Sequence, residues 1–575
     1  MFDEEYGEIL TVVTSSEYLG RIAWPLSSLE GALPMQPSSQ LSVSGHVDTF
    51  CRDNLPPREQ WPQFRFELPE LAYPERLNCA EVLLDDAVAR WGPDRPCLVT
   101  PTERWTYGEL QRRAGQVAQV LAEDFGLQPG NRVLLRGPNN PWLVASWFGV
   151  LKAGCVAVTT MPLLRSGEIG QLIELTRPAL ALCDHRFAAE LRDATPGVVI
   201  ATYGVDADGS LDRRCATKTG EFTAVQTAAD DVALLAPTSG TTGKPKATMH
   251  FHRDVLANAD TFARHVLKPD ADDVFTGTPP LGFTFGLGGL VVFPMRVGAS
   301  SLLLEKAGPD DLGEAIAEHG VTVLFTAPTA YKALLSADRG ADLATLRRCV
   351  SAGEHLPKEV WEAFHARTGI KIINGIGGTE LLHIFISAAD DDIRPGATGK
   401  AVPGFEAAVL DDDGEPVPDG SVGRLAVRGP TGCRYLNDAR QQQYVQHGWN
   451  ITGDTYVRDG DGYFWYQARN DDMIISAGYN IAGPEVEEAL LGHPDVVEAG
   501  VVASPDEQRG SIVKAYVVLR DGLVGDADKA AELQDFVKQR IAPYKYPRAI
   551  EFLEALPRTS NGKLQRFVLR ERARA

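Results

Sequence analysis

Apolar positions along most of the chain recur in helical patterns that alternate with short β-rich runs. Residues 80–91 and 107–124 carry apolar side chains three and four positions apart, a spacing that predicts amphipathic helices. Short apolar runs flanked by turn residues predict buried strands at 132–136, 156–159, 180–183, 197–202 and 232–236. A predicted helix at 314–319, followed by a predicted strand at 321–325, continues this alternation of helix and strand. The alternation predicts an α/β fold with layers built on largely parallel sheets.

Two changes in this pattern divide the chain. After Asp411-Asp-Asp-Gly414 the predicted strands become shorter and are joined by hairpin turns, which indicates a small β-rich lobe. Beyond residue 470, helices 484–491 and 528–540 flank strands 496–503 and 515–519, a compact α+β pattern. One core serves at most roughly 250–300 residues. We therefore predict an N-terminal extension at 1–45, a large multi-lobed domain at 46–470 and a small C-terminal domain at 471–575.

Composition and charge narrow the classes of protein. The 575 residues include 56 Lys and Arg against 77 Asp and Glu, a formal net charge of −21. This balance argues against a nucleic-acid partner, and an anionic ligand must be met by local positive groups. The eight cysteines include no Cys-x-x-Cys pair, which argues against a zinc centre or a disulfide framework. No apolar run reaches the roughly 20 residues that span a bilayer, so we expect a cytoplasmic protein without a membrane partner.

A segment rich in glycine and hydroxyl groups follows the strand predicted at 232–236. It reads Ala236-Pro-Thr-Ser-Gly-Thr-Thr-Gly-Lys-Pro-Lys246. Glycines let backbone amides approach phosphate oxygens, hydroxyls add donors, and lysine supplies positive charge. The segment therefore predicts a site for a nucleoside triphosphate. The residues predicted to bind it are Thr238, Ser239, Gly240, Thr241, Thr242, Gly243 and Lys246.

Two familiar nucleotide-binding motifs are excluded by spacing. A P-loop needs Gly, four residues and then Gly-Lys-Ser/Thr, whereas Gly243-Lys244 is followed by Pro245 and preceded by Gly240 only three positions earlier. Gly375-Ile-Gly-Gly-Thr-Glu380 lacks the third glycine of a dinucleotide fingerprint.

The segment instead resembles the signature of the adenylate-forming superfamily, which includes acyl- and aryl-CoA synthetases, peptide-synthetase adenylation domains and luciferases. The resemblance extends from about residue 75 to 570, with further motifs in the family's order. It implies an AMP-forming acid–thiol ligase that uses ATP, Mg²⁺ and coenzyme A. It also implies that the small C-terminal domain is mobile and rotates between the two half-reactions.

The resemblance assigns roles to the second and third motifs. In Gly375-Ile-Gly-Gly-Thr-Glu380, Thr379 would bond the α-phosphate and Glu380 would hold Mg²⁺. A carboxylate beside a tight glycine turn is chemically suited to that ion. In Trp449-Asn-Ile-Thr-Gly-Asp454, the carboxylate of Asp454 would accept both ribose hydroxyls.

Further roles that the resemblance implies fall around the predicted domain boundary and in the C-terminal domain. Arg469 would contact the nucleotide, and Asp471 occupies the position of the family's hinge. Lys563 would reach into the site during adenylation and bridge the carboxylate and the α-phosphate. Gly478 and Tyr479 would line the tunnel for coenzyme A.

Two stretches bear on the acid. Phe283 and Phe285 stand among glycines in Pro280-Leu-Gly-Phe-Thr-Phe-Gly-Leu-Gly-Gly289, which suits a flat, compact acid. The second stretch is Leu381-Leu-His-Ile-Phe-Ile-Ser387, and His383 within it and Gly377 shortly before it are the other predicted acyl-site residues. These stretches resemble benzoate- and 2-aminobenzoate-CoA ligases more than fatty acyl-CoA or acetyl-CoA synthetases, which implies an aromatic carboxylic acid as substrate.

Several alternatives stay open on the sequence. The acceptor is coenzyme A or a separate carrier protein in trans; the absence of a carrier-domain pattern favours coenzyme A. The acid is aromatic, bulky or aliphatic, and the enzyme runs both half-reactions or one. A nucleotide-binding protein without activity is the alternative from another class, but every catalytic position is occupied. The ring substituent and a homodimeric state are also undetermined.

Overall fold

Two largely parallel β-sheets form the core of the N-terminal part of the chain. The computed structural model describes residues 41–195, 197–239, 245–306, 308–336, 343–469, 472–476, 479–506, 510–541, 545–558 and 564–574. The first sheet has the spatial strand order Val199–Tyr203, Leu180–Asp184, Arg132–Arg136, Val156–Thr160, Val232–Ser239 and Pro245–Phe251. Its pairings are parallel except for the last, which closes an antiparallel hairpin.

The second sheet has parallel strands at its centre and antiparallel strands at both edges. Its order is Lys400–Ala401, Ile384–Ser387, Ile372–Gly377, Arg348–Ser351, Val323–Thr326, Val274–Gly277, Ser300–Leu302, Pro96–Val99 and Arg104–Thr106. Strands buried on both faces read as continuous apolar runs, which explains why the sequence pattern located five of the six strands of the first sheet and Val323–Thr326 of the second. The predicted α/β architecture with parallel sheets is confirmed.

Helices connect the strands of both sheets. The α-helices are Phe50–Asp53, Asp86–Trp91, Tyr107–Gln119, Pro141–Lys152, Ser166–Thr176, Ala188–Ala194, Leu211–Ala216, His252–Asn258, Thr284–Leu287, Phe293–Val297, Pro309–His319, Pro328–Ser336, Lys358–Thr368 and Gln441–Tyr444. The predicted helix at 107–124 begins with a capping box between Thr106 and Glu109. Four π-helical stretches, found within the described residues, continue such helices: Glu81–Asp85, Val120–Asp124, Ala259–Leu267 and Gly288–Val292.

The predicted β-rich lobe is an antiparallel sheet. It contains strands Glu406–Leu410, Val422–Arg428, Trp449–Arg458 and Val445–Gln446, with Phe464–Arg469 paired to the third of them. Antiparallel pairing matches the hairpin turns that the sequence predicts there.

The C-terminal part has a core of its own. Strands Val496–Asp506, Gly510–Leu519 and Ala549–Phe552 form one sheet, and Met473–Ser476 pairs with Tyr479–Ala482. Helices Gly483–Leu491 and Ala527–Arg540 pack on these strands, and helix Arg566–Arg574 follows. This confirms the predicted small α+β unit, while its exact boundary at residue 471 stays a prediction. Among the described residues, no helix is long and apolar enough to cross a membrane.

Candidate active site

A β-hairpin carries the predicted phosphate-binding segment. Strand Val232–Ser239 pairs antiparallel with Pro245–Phe251, and the register sets Thr238 opposite Lys246. The sequence predicts a loop after residue 236, but the strand continues to residue 239 because pairing across the hairpin outweighs the turn preference of Pro237 and Ser239. Gly240, Thr241, Thr242 and Gly243 lie outside the described residues.

Thr379 and Glu380 lie in a short 3₁₀ turn, Thr379–Leu381, which packs against this hairpin. Lys246 Nζ is 2.9 Å from Glu380 Oε1. The Tyr435 hydroxyl donates to the same carboxylate oxygen at 2.5 Å, and Lys246 also donates to the Tyr435 hydroxyl. Lysine, tyrosine and glutamate thus form a closed hydrogen-bond network on the predicted nucleotide side.

This network keeps Glu380 ionised. Burial raises the pKa of a carboxyl group, and Glu380 is only 9% exposed. The Lys246 ammonium and the Tyr435 hydroxyl outweigh burial and lower the pKa of Glu380 below its ordinary value. A buried carboxylate that stays charged is a hard oxygen ligand of the kind Mg²⁺ prefers.

A second chain of contacts fixes the backbone of the same turn. His250 Nε2 lies 2.7 Å from the carbonyl oxygen of Thr379 and donates to it. Asp254 Oδ2 is 3.8 Å from His250 Nδ1 and forms an ion pair with Arg434, and all three side chains are fully buried. Buried charges of this kind are tolerated because they are paired. The turn that carries Thr379 is therefore anchored from the protein interior.

The predicted ribose site is built from two paired strands of the β-rich lobe. Asp454 lies on Trp449–Arg458, directly opposite Arg469 on the neighbouring strand. Asp454 is nearly buried, and its backbone N–H donates to Thr452 Oγ1 at 3.2 Å. The register thus brings together the two residues that the sequence assigns to the nucleotide in separate motifs.

His383 lies three positions after Glu380 but among quite different neighbours. Its ring centroid lies 4.6 to 6.2 Å from four phenylalanine rings, those of Phe262, Phe285, Phe293 and Phe325. The side chain is buried, and within the described residues neither ring nitrogen makes a hydrogen bond of normal geometry, although the ring interacts with the backbone of Phe285. Burial lowers the pKa of His383 to about 3, although the backbone of Phe285 opposes the shift. The imidazole is therefore neutral at physiological pH.

Glycines allow these rings to approach the backbone. A methyl group added at Gly288 would lie 2.4 Å from His383 Cδ2, and one at Gly289 would lie 2.6 Å from the Phe325 ring. A Cβ at Gly377 would meet the His383 carbonyl oxygen at 2.7 Å. Gly288 and Gly289 therefore make room for the aromatic rings, and Gly377 makes room for the backbone of the neighbouring strand.

The structure brings together three of the four predicted acyl-site residues, namely Phe285, Gly377 and His383. Phe283 is the N-cap residue before helix Thr284–Leu287 and is partly exposed, and no ring contact joins it to the cluster among the described residues. Sequence reasoning missed Phe293, Phe325, Tyr435 and His250. The pair Gly288-Gly289 was a usable signal, because glycine weakens a helix unless something must approach closely.

Some predicted residues cannot be placed. Lys563, Asp471 and Gly478 lie outside the described residues. Tyr479 is described only by its backbone, which starts the second strand of a hairpin opposite Ser476. Their roles stay predictions.

Comparison with known proteins identifies the family to which this chain belongs. Residues 84–435 match the family model described as AMP-binding enzyme, and residues 485–563 match the AMP-binding enzyme C-terminal domain. The benzoate–CoA ligase of Thauera aromatica is 33% identical over 87% of this chain and 97% of that enzyme.

Two crystal structures are similar over most of this chain. The anthranilate CoA ligase AuaEII in complex with anthranoyl-AMP superposes with a TM-score of 0.83 at 33% identity, over 88% of this chain and 99% of that one. The benzoate CoA ligase from Burkholderia xenovorans LB400 gives 0.79 at 33% identity, over 86% and 100%. The match confirms the resemblance seen in the sequence: this chain belongs to the AMP-binding enzymes, the adenylate-forming family that includes the AMP-forming aryl-CoA ligases.

Proposed function

We propose that this enzyme activates an aromatic carboxylic acid with ATP and transfers the acyl group to coenzyme A. The observation that carries the proposal is the juxtaposition of two environments across one short turn. Glu380 joins Lys246 and Tyr435 in a charged network, and three positions later His383 enters a cluster of phenylalanine rings. A polar phosphate site beside an apolar, ring-lined site is what the joining of ATP to an aryl acid requires.

The reaction has two displacement steps. In the first, a carboxylate oxygen of the acid attacks the α-phosphorus of ATP, the bond to the bridging oxygen breaks, and pyrophosphate leaves. In the second, the sulfur of coenzyme A attacks the acyl carbon, and AMP leaves with the electron pair of the broken C–O bond. Two of the relatives described above are benzoate–CoA ligases and one is an anthranilate CoA ligase, which supports an aryl acid as the substrate.

Residues of the nucleotide side have the following proposed roles. Thr238, with its buried hydroxyl free of partners in the described residues, and Lys246 contact the triphosphate together with the rest of the hairpin loop. Thr379 contacts the α-phosphate, Asp454 accepts the ribose hydroxyls, and Arg469 contacts the nucleotide from the neighbouring strand. These contacts position the acid and ATP for in-line attack, which is the main source of rate acceleration in phosphoryl chemistry.

Glu380 is the residue that fits a magnesium ion. Its carboxylate is buried, ionised and held by two donors on one oxygen. When bound, Mg²⁺ would offset negative charge on the phosphate oxygens.

Four residues of the predicted C-terminal domain have proposed roles in the two half-reactions. Lys563 bridges the carboxylate and the α-phosphate during adenylation, and a rotation about Asp471 then replaces it with the surface that carries Gly478 and Tyr479. The coenzyme A thiol reaches the adenylate past that glycine.

The acyl side favours a ring with a polar substituent. A neutral imidazole offers one donor and one acceptor, and a buried polar group without a partner costs about 1–3 kcal/mol. An amino or hydroxyl group on the ring of the acid would supply the partner that His383 lacks among the described residues. We therefore propose substituted benzoates, with 2-aminobenzoate as the leading candidate.

Pyrophosphate release with benzoate, 2-aminobenzoate, salicylate and hexanoate tests the proposal. We expect the aryl acids to exceed hexanoate, and 2-aminobenzoate or salicylate to exceed benzoate in kcat/KM. A clear preference for hexanoate would contradict the aromatic assignment.

The same assay with and without coenzyme A tests the acceptor. We expect acyl-CoA to form and AMP to be released in repeated turnovers only when coenzyme A is present. Adenylate that accumulates in the presence of coenzyme A would contradict that acceptor and favour a separate carrier protein.

A further inference from the structure

Two donors converge on a single oxygen of Glu380. The Tyr435 hydroxyl donates to Oε1 at 2.5 Å, and Lys246 Nζ lies 2.9 Å from the same atom. Neither side chain donates to Oε2. The carboxylate is thus held at one oxygen and presents the other.

The two donors differ in rigidity. Lysine reaches Glu380 on a flexible four-carbon stem and carries a compact charge that phosphate oxygens also attract. Tyrosine has only two side-chain torsions, and Tyr435 is fully buried with its ring against Tyr444 at 5.7 Å between centroids. Tyr435 is therefore the donor that stays in place when an anionic ligand competes for Lys246.

Backbone contacts fix Tyr435 beside the hairpin. Its N–H donates to Gln441 Oε1 at 2.9 Å, and it forms a β-bridge with Thr248. On either side, the N–H of Met249 donates to the Arg434 carbonyl at 2.7 Å and the N–H of Leu436 donates to the Ala247 carbonyl at 2.8 Å. The segment thereby pairs, through a single antiparallel β-bridge and its flanking hydrogen bonds, with the strand that carries Lys246.

We propose that Tyr435 is a positioning residue that holds Oε1 of Glu380, so that Oε2 faces the divalent cation of the nucleotide complex. The inference rests on the proposed function, in which Glu380 is the metal carboxylate. A hydrogen bond to a charged group is among the stronger ones in proteins. Its loss leaves Glu380 with the flexible ammonium as its remaining side-chain donor, and the carboxylate then loses its orientation.

Cation binding in the full-length chain tests the role without any need for the acid. Free Mn²⁺ is titrated by electron paramagnetic resonance in the presence of α,β-methylene-ATP, an analogue that cannot release pyrophosphate. We expect Tyr435→Phe to weaken Mn²⁺ binding roughly tenfold, the order for loss of a hydrogen bond to a charged group. Glu380→Gln should weaken it at least as much.

Tyr331→Phe is the matched control. Tyr331 is also fully buried, and its hydroxyl donates to the Val350 carbonyl at 3.0 Å. Both tyrosine variants lose a buried hydrogen bond and should lower Tm to a similar degree, but Tyr331→Phe should leave Mn²⁺ affinity within about twofold. A merely structural role for Tyr435 predicts the same small change for both variants.

The outcomes separate the inference from the proposed function. Unchanged Mn²⁺ affinity in Tyr435→Phe, beside weakened binding in Glu380→Gln, overturns the role of Tyr435 and leaves Glu380 as the metal ligand. Unchanged affinity in Glu380→Gln overturns both the inference and the proposed metal site. If the aryl acids give no pyrophosphate release but Mn²⁺ binding is normal, only the proposed substrate is contradicted.

Discussion

Glu380 and His383 stand three positions apart on one turn, yet their surroundings are opposite in character. Glu380 is held by a lysine and a tyrosine, and its charge is balanced inside the protein. His383 is held by phenylalanine rings, and among the described residues its ring nitrogens find no hydrogen-bond partner. Leu382, between them, has a backbone φ of 73°, which lets the chain change direction there.

In the proposed function, Glu380 lies on the side of ATP, which the reaction uses whatever the acid. His383 lies on the side of the acid, whose identity distinguishes this enzyme. On the proposed nucleotide side, the ion pair of Lys246 with Glu380 is already formed, so that little reorganisation would be needed to bind a triphosphate. The acyl side leaves hydrogen-bonding capacity unused at a cost in stability. If the proposed acyl site is correct, a substrate that pairs with His383 should be selected over one that does not, because discrimination depends on buried polar groups that are paired by one ligand only.

The largest effect should follow from removing the ammonium group of Lys563, which is proposed to bridge the carboxylate and the α-phosphate. We expect Lys563→Ala to reduce adenylation by ~10²–10³ or more, the order for a preorganised charge or donor. Thioester formation from a supplied acyl-adenylate should stay close to the wild-type rate. Measuring both half-reactions separately checks the role, and equal loss in both would contradict it.

The acyl side is tested by His383→Phe, which keeps a ring and removes the polar atoms. We expect the preference for 2-aminobenzoate over benzoate to fall by about tenfold, since one buried hydrogen bond of about 1–3 kcal/mol is lost. The KM for ATP should not change. Competition between the two acids provides the measurement, and an unaltered preference would show that His383 does not read the substituent.

A smaller effect is expected from Gly288→Ala. The new methyl group would lie 2.4 Å from His383 Cδ2 and would displace the ring. We expect the KM for the acid to rise by roughly fivefold, in line with an overpacking strain of about 1 kcal/mol, with the KM for ATP unchanged. Gly167→Ala is the control, because nothing lies within 4 Å of its added Cβ. A similar rise in the KM for the acid in both variants would mean that the effect of Gly288→Ala does not arise at the acyl site.

The smallest effect concerns acid stability. Burial lowers the pKa of His383 from an ordinary 6.5 to about 3. As pH falls through 6.5, the unfolded chain binds a proton that the folded chain does not bind above pH 3, so the group removes stability across this window. We expect His383→Phe to reduce the slope of unfolding free energy against pH by about one proton between pH 6 and 4.5.

Urea titrations at several pH values measure that slope. Buried His252, whose pKa is also lowered to about 3 by burial, is the comparison. His252→Phe should flatten the slope to the same degree without altering the choice of acid. A slope that is the same in His383→Phe and wild type would mean that the histidine is protonated in the folded chain.

The sequence predicted the fold class because the patterns it rests on are local. Short apolar runs between helices identify buried parallel strands, and Arg132–Arg136 is observed at the predicted bounds. The strand extension to residue 239 was not predicted, because Pro237 and Ser239 favour turns locally, whereas hairpin pairing depends on the partner strand Pro245–Phe251. Tyr435 lies 55 positions from Glu380, and nothing in the intervening pattern connects them.

By itself, the sequence determined the chemistry that is available: the order of the motifs, the residue types that bind phosphate, and the family. Only the tertiary structure decided which of these groups meet. It set Asp454 opposite Arg469 through strand register, joined Lys246, Tyr435 and Glu380 into one network, and enclosed His383 with phenylalanines from separate elements. The physical reason is that motifs are read along the chain, whereas charge balance and desolvation depend on neighbours that only folding brings together.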